Sequence, residues 1–564
     1  MRTSLSKSAI ITLFLFATTR VCSAQLIAPR GMVNAASFMP AGLPGGPIAQ
    51  GSLFSIFGVN LGPSSSPPLT FPLSTSLGGV SVKVTQGATS VTAIPVFVGP
   101  GQINAIMPSN APVGRVSVRV ITTINGQPVT GPVSPASVVS ASFGIFSAGN
   151  GGYGPGLIQQ YVSQQQTPLN SRSAPAQPGQ LVILYGTGLG PIQAPDNQAP
   201  PNGNLGQVEV FVGGQAANIL YHGRSSCCSG LDQINFQVPS AAPVGCWVPV
   251  QARVNGAVVS NTVTMAISAD GSPCSDPANA LSQAFLGGQK IGAIALLHAD
   301  VTEDIGYSSP KSVVTESAML TFQREQPSTF GPFHPIFSLP PAGACTAYTV
   351  PGDLLGGDPF PGPSTTGSFL DAGSSFNLNS TGGQRTMQRP TTNERNFQPL
   401  GYSFTGSLVP STLYLVPNNY AVVGLGGADV GPFTARFPIS APFGLTWTNR
   451  DQTEIVSRGQ ALTLNWTGAP SGQPVIIFGA GVDVPTNATA MFVCVAPPAA
   501  SSSFTVPSQI LANLPATRPN LLQSKGVVYV GALPISSPAS FTATGLDVGA
   551  ILPGAFFGKT VIFQ

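Results

Sequence analysis

The chain has 564 residues, a net charge of +3 and only 7% charged side chains. That fraction is far below the roughly 25% of ordinary soluble proteins, and without a basic cluster it excludes counterion-driven nucleic-acid binding. After the amino-terminal segment no apolar run reaches the roughly 18 residues that cross a bilayer as a helix, so no transmembrane helix is expected.

Arg2 and Lys7 supply a positive start, Ala9 to Ala17 (AIITLFLFA) an apolar stretch too short to span, and Cys22-Ser23-Ala24 small residues for a peptidase. This predicts a signal peptide over 1–24, cleaved near Ala24, and export to the medium or the cell surface. A lipid anchor on Cys22 competes, but Arg20 and Val21 stand where small residues are wanted. Export places the remaining six cysteines in an oxidising compartment, where structural bridges are expected. Beyond the leader the apolar runs are short, and 66 Gly and 56 Pro interrupt β-branched stretches without forming low-complexity tracts. Such a chain reads as all-β with many turns.

Residues 51–63 read GSLFSIFGVNLGP and residues 179–191 read GQLVILYGTGLGP. Aligned on Gly51 and Gly179, Gly58 meets Gly186, Gly62 meets Gly190, and Val80, Val82 and Val84 meet Val208, Val210 and Val212. Beyond three inserted residues, Gln102-Ile103-Asn104 meets Gln233-Ile234-Asn235, and Ala111-Pro112-Val113-Gly114 meets Ala242-Pro243-Val244-Gly245. A match over a whole domain length is a duplication. In each copy Leu53 to Phe57 or Leu181 to Tyr185 is an apolar strand, the valines alternate as a half-buried strand, and Ile103 to Met107 or Ile234 to Val238 ends at Pro. Val116 to Ile121 and Trp247 to Val254 then lead to the hairpin signals Asn125-Gly126 and Asn255-Gly256. About six or seven short strands in roughly 100 residues is the count of an immunoglobulin-like sandwich.

Gly186, Gly188 and Gly190 follow a strand at alternate positions and raise the question of a phosphate loop. A dinucleotide fingerprint opens a helix at its third glycine and carries an acidic residue about 20 positions on. Here Pro191 follows Gly190, GPIQAPDNQAPP has no helical period, and Val59-Asn60 replace the middle glycine in the first copy. Gly51, Gly58, Gly62, Gly179, Gly186 and Gly190 are therefore read as turn glycines of the repeat.

The pattern G-x-L-x-x-x-x-G-x-x-L-G-P, followed by V-x-V-x-V and a strand ending in Pro, resembles the IPT/TIG group of immunoglobulin-like domains. With CCSGLDQINFQVP and the opening Val33 to Ser37, the tandem pair resembles a family of secreted soil-bacterial proteins over about residues 32–268. The resemblance implies β-sandwiches, export and contact with protein or glycan, and no catalytic residues. The expected fold class is all-β: four immunoglobulin-like (IPT/TIG-like) sandwiches in a row with few short helices. They divide as 25–145, 146–274, a β-rich domain 275–440 and a C-terminal sandwich 441–564.

In such a sandwich Leu231 to Val238 runs end to end, about 25 Å at 3.3 Å per residue. That separates Cys228 from Cys246 beyond the roughly 7 Å a bridge allows. The last strand, Val258 to Ile267, pairs back along the strand that Cys246 opens and ends just before Cys274, which predicts Cys246–Cys274. The neighbours Cys227 and Cys228 are left for a vicinal bridge. A metal site there with His222 is the weaker reading, because adjacent thiols rarely complete a tetrahedron. Cys345 with Cys494 follows from parity only.

In the second half Asp276-Pro277 opens a short helix to near Gly287. Strands follow at Ile291 to Leu297, Ser312 to Phe322, Cys345 to Val350, Ser375 to Leu378, Leu413 to Val416 and Ala421 to Val423. Asp429, in a Gly-rich turn, is one carboxylate where Ca²⁺ takes six to eight oxygens. Trp447 and Trp466 are read as core rather than as a sugar platform. Val506 to Pro515 is read as one or two helical turns, and Ser537 to Thr544 and Lys559 to Phe563 as closing strands.

The three histidines, His222, His298 and His334, form no i, i+4 zinc pair, and no G-x-S-x-G elbow occurs. HADVTED (His298 to Asp304) is the one dense polar cluster and reads as a solvated turn after a strand. No catalytic residue, cofactor or metal is assigned. The expected work is non-catalytic adhesion, surface display or binding of an extracellular glycan or protein. The alternative is a secreted carbohydrate-active hydrolase or lectin with its site in 275–440.

Overall fold

The computed structural model describes residues 25–564 apart from 125, 150, 277–278, 281, 284–289, 304–310, 326–329, 331–332, 334–337, 351–366, 390–401, 406–412, 440–443, 484, 487, 499–501 and 518–523. The expected signal peptide, His334 and Asp304 lie outside the described residues. The described chain is all-β, with strands in every quarter of its length and a four-residue helix, Ser508–Leu511, where one or two helical turns were expected; residues 280, 282 and 283 are also helical, and the rest of the short helix expected from Asp276 to near Gly287 lies largely outside the described residues.

In the first repeat a single sheet curls over itself. Its order is Leu26–Asn34, Leu53–Val59, Gln102–Ile106, Thr89–Val98, Val80–Gln86, Gly114–Ile124, Ser134–Val139, Ile48–Ala49. The strand Thr89–Val98 pairs with a different layer at each end, and its register slips between Pro95 and Phe97. A bulge of this kind bends a strand and lets one sheet supply both layers. The second repeat builds the same layers as two sheets. One joins Gly144–Ile145, Leu181–Thr187, Asp232–Gln237 and Asn218–Arg224; the other joins Gln215–Ala216, Val208–Val212, Gly245–Val254 and Val258–Val259.

The duplication extends to register. Leu53 faces Ile106 and Ile56 faces Ile103; at the matching positions Leu181 faces Gln237 and Leu184 faces Ile234. Register is strict here because a one-residue slip would turn every core side chain outward. Phe54, Ile56, Val82, Val84 and Ile103 fill one core, and Val182, Leu184, Val210, Val212 and Ile234 fill the other from equivalent positions. These are tandem immunoglobulin-like sandwiches.

The second half is less separate than the sequence reading expected. One sheet runs Cys345–Val350, Ala488–Val495, Val475–Asp483, Ser524–Ala532, Val548–Phe563, Lys290–Glu303, Lys311–Glu325, Tyr402–Thr405, Gly383–Gln388, Ser375–Ser380, Asn418–Gly424, Phe433–Ile439. It carries two large cores and a smaller one around Ile291, Tyr348 and Val493. Trp447 and Trp466, both buried and facing each other across a strand pair, anchor one core. Phe322, Phe376 and Phe433 anchor the other. Each core borrows across the expected 440/441 division: Cys345 and Ala347 pack with the tryptophans, whereas Phe541 and Ile551 pack with the phenylalanines. The 16-residue strand Val548–Phe563 explains this exchange, because it is long enough to pass from one core to the other.

The halves also interlock. Leu43, from a loop of the first repeat, is buried in the tryptophan core. Phe333 packs edge-on against Trp247 of the second repeat at 5.3 Å.

Ile103 and Ile234 are fully buried equivalents in separate cores. Each Ile→Ala change is expected to cost about 2–5 kcal/mol, and the double variant to cost their sum within about 0.5 kcal/mol. Urea melts of the single and double variants measure this.

Candidate functional site

The glycine loop that raised the question of phosphate lies where the two repeats meet. No helix opens after Gly190; residues 191–203 carry only bends and turns. The loop's backbone donors are nonetheless used for an anion, and that anion is internal. The N–H groups of Gly188 and Leu189 donate to Asp232 Oδ2 at 2.6 and 2.7 Å. Arg224 Nη1 donates to Asp232 Oδ1. Both side chains are essentially inaccessible to solvent. Burial pushes the Asp232 carboxyl above its ordinary value, and the Arg224 guanidinium and the two N–H donors oppose that shift. A phosphate would find the cradle already filled.

The first repeat solves the same problem without charge. There Leu61 N, the counterpart of Leu189 N, donates to the carbonyl of Pro100, which approaches on a short hairpin. In the second repeat the hairpin loop is longer, running from Ser225 to Leu231, and the Asp232 carboxylate takes the place of that carbonyl. Of the expected turn glycines, Gly51 and Gly179 have φ of 70° and 82°, and Gly190 has 133°. Gly62 packs close to the backbone of Gly99. Gly58 and Gly186 are a correction: they lie within the strands Leu53–Val59 and Leu181–Thr187. A side chain there would strike the carbonyl of Leu26 or Gly144 on the neighbouring strand, so close strand approach is the reason for glycine. Gly188, at φ 110°, has Asn60 as its counterpart at φ 56°; Asn is among the few residues that enter this region readily.

Arg224 also ties the repeats together. Its Nη2 donates to Gly51 O of the first repeat at 2.8 Å and to Gly190 O of the second at 2.7 Å. Around it, Leu53 N donates to Thr187 Oγ1, and Asn34 Nδ2 donates to the carbonyls of Ser142 and Thr187. Ser109 donates through its N–H and its hydroxyl to the two oxygens of Asp196, each at 2.7 Å. Leu73 and Asn197 exchange two further bonds. The junction is thus a rigid seam and not a flexible linker. Beside it opens a groove of about 390 Å³, lined by Thr75, Ser90, Thr92 and Asn110 of the first repeat and Asp196 and Asn197 of the second. Hydroxyls and amides dominate this lining, which suits a neutral, polar ligand.

The structure joins Cys246 to Cys274 (Cα–Cα 5.3 Å), Cys227 to Cys228 and Cys345 to Cys494 (Cα–Cα 4.0 Å). The second of these lies exposed in the hairpin that separates Arg224 from Asp232. Bonded sulfurs have no thiolate to offer a metal, and His222 Nδ1 lies 3.1 Å from the carbonyl of Leu205. Among the described residues no group of three His, Cys, Asp or Glu is placed to hold a metal ion. Asp429 accepts from Asp371 N and its own N–H donates to Asp371 O, which closes the Gly-rich turn.

HADVTED is also corrected. His298, Asp300 and Glu303 belong to the strand Lys290–Glu303 rather than to a turn. His298 faces Glu316 on the adjacent strand, with Nδ1 and Oε1 3.6 Å apart. Asp300 pairs with Arg450 at 3.2 Å. Glu316 accepts from Tyr414 N and Leu415 N at 2.7 and 2.8 Å. Leu413 to Val416, expected as a strand, bends to deliver those donors. Burial raises the Glu316 carboxyl, but His298 and the two N–H groups outweigh it and hold the carboxyl below its ordinary 4.5. Sequence reasoning passed over Arg224, Asp232 and Glu316. The available signal was that each is a rare charged residue inside an apolar strand pattern.

No family model matches the sequence, and no curated protein matches it. Among solved structures, the plexin A4 extracellular region is 16% identical, with 40% of this chain and 16% of that chain covered and a TM-score of 0.15. The chain therefore spans under a fifth of the plexin region it matches. The FN1–FN3 domains of chicken CNTN1 are 8% identical over 67% of this chain and 99% of theirs, with a TM-score of 0.13. The titin Ig tandem A164–A165 is 11% identical over 43% and 97%, with a TM-score of 0.12. Overlaps this low carry no argument about function. Among the described residues no helix is long and apolar enough to cross a membrane.

Removing one member of a buried ion pair strands the other, so Asp232→Asn or Arg224→Met alone is expected to cost about 3–5 kcal/mol. The double variant stays destabilised, because Gly188, Leu189, Gly51 and Gly190 lose their partners too; chemical denaturation of the full chain measures both effects. Glu316→Gln is expected to cost about 1–3 kcal/mol at neutral pH, since an amide cannot accept from both backbone donors. A carboxyl with a lowered folded pKa stabilises above its unfolded value and loses that contribution as pH falls through the folded value. The gap between wild type and Glu316→Gln therefore closes as pH drops below 4.5, read as converging melting temperatures.

Proposed function

We propose that the chain is an exported, non-catalytic recognition scaffold whose first two units are IPT/TIG-like, and that it works in adhesion, surface display or the binding of an extracellular glycan or protein. The observation that carries this reading is the rigid junction. Arg224 spans the two repeats by hydrogen-bonding Gly51 O and Gly190 O, and the groove beside it takes its walls from both. A flexible pair could present no such composite surface. Three disulfides support an oxidising compartment, and the amino-terminal sequence supports export through a leader cleaved near Ala24.

Within 275–440 the most charged cluster serves the fold. Glu316 accepts backbone donors from Tyr414 and Leu415, and the Asp300 carboxylate meets Arg450 and the hydroxyl of Ser312. That use favours recognition over hydrolysis.

A glycan array and a pull-down with the full chain test the reading. Saturable binding without turnover is expected, weakened when Arg224→Met loosens the junction. Turnover of a bound glycan that disappears on changing one Asp or Glu would replace the scaffold with an enzyme.

A further inference from the structure

The first repeat also departs from the second at the seam between its two layers. Its curled sheet ends in two free edges, the strands Leu26–Asn34 and Ile48–Ala49, and these lie side by side without pairing. In the second repeat the corresponding seam is closed. A parallel bridge joins Pro155 to Thr264, and Asn170 exchanges two hydrogen bonds with Ala266. The open seam of the first repeat holds a cavity of about 410 Å³, within the size range of small-molecule sites. Its walls include Met32, Ala41, Pro47, Ile48 and Ala136, and Met32 and Ile48 also belong to the repeat's core.

One charged side chain lines this cavity, Arg30. Its placement is specific. The pairing of Leu26–Asn34 with Leu53–Val59 slips between Ile27 and Met32, and Arg30 sits in that slip with φ 56°. A bulge re-aims a side chain, and a non-glycine residue at positive φ outside the Asn and Asp types is uncommon. The next residue, Gly31, leaves no room for a Cβ, which would come within 2.6 Å of Phe57 O and 2.9 Å of Ala28 O. Arg30 is exposed, and no carboxylate pairs with it among the described residues. In a chain so poor in charge, one unpaired guanidinium at the mouth of an apolar cavity is a recognition element for an anion.

We propose that this seam binds a small amphipathic monoanion, its apolar body between Met32, Ile48 and Ala136 and its carboxylate on Arg30. No acidic residue lines the cavity, so a cation is disfavoured. An apolar body is required because the remaining lining has little hydrogen-bonding capacity. The site is independent of the junction groove and of the glycan or protein that groove would meet.

Isothermal titration of the full chain with octanoate, decanoate and octanol tests the proposal. Saturable one-to-one binding of octanoate is expected, tightening about fourfold per added methylene until the seam is full. Arg30→Ala should weaken octanoate about tenfold or more and leave octanol unchanged, with Arg30→Lys between. Ala136→Trp, which fills the cavity, should abolish both; if it does not fold, the Arg30 variants decide alone. Absence of saturable octanoate binding, or equal octanoate affinity in wild type and Arg30→Ala, overturns the proposal.

Discussion

A carboxylate removed from water must be surrounded by donors, and this requirement organises the junction of the two repeats. Asp232 is buried with Arg224 and two loop N–H groups. The loop can curl around it because Gly188 and Gly190 adopt positive φ. Once Arg224 is fixed by the carboxylate, its remaining nitrogen reaches one carbonyl in each repeat. Satisfying a single buried charge thus helps fix the relative placement of two domains, together with the bonds of Thr187 and Asp196 across the same seam. The first repeat, with a backbone carbonyl at the same place, has no charge to satisfy there and no comparable tie.

Charge scarcity makes such places conspicuous. Most of the molecule is joined by backbone ladders and by neutral side chains such as Asn34, Ser109, Asn170 and Asn261, whose bonds reach far along the sequence. Asn261, for example, receives Ile145 N and donates to the carbonyls of Ile145 and Gly152. Amides can do this inside a protein without the desolvation cost of an ion. Carboxylates appear instead where several backbone donors converge: Asp232 on the glycine loop, Glu316 on the bend at Tyr414.

Legibility tracked the range of the interaction. The valine alternation, the strand after Gly51 and its copy after Gly179, and the Asn-Gly turn at 255–256 are local patterns, and the structure carries them in register. HADVTED misled because a strand that passes between two neighbours can carry His298 and Asp300 once each has a cross-strand or side-chain partner. Gly186 misled because glycine marks close strand approach as well as turns. The expected division at 440/441 did not show that Val548–Phe563 serves both cores, since no local pattern records which sheet a long strand will continue.

The sequence by itself determined the all-β class, the duplication and the alternation that buries each core, because these depend on residues a few positions apart. Only the tertiary structure decided that Asp232 would occupy the glycine loop, that Arg224 would reach Gly51 some 173 residues away, and that one seam would stay open while its copy closed. Those outcomes depend on which distant backbone groups arrive together with unmet hydrogen bonds, and a linear pattern does not encode that meeting.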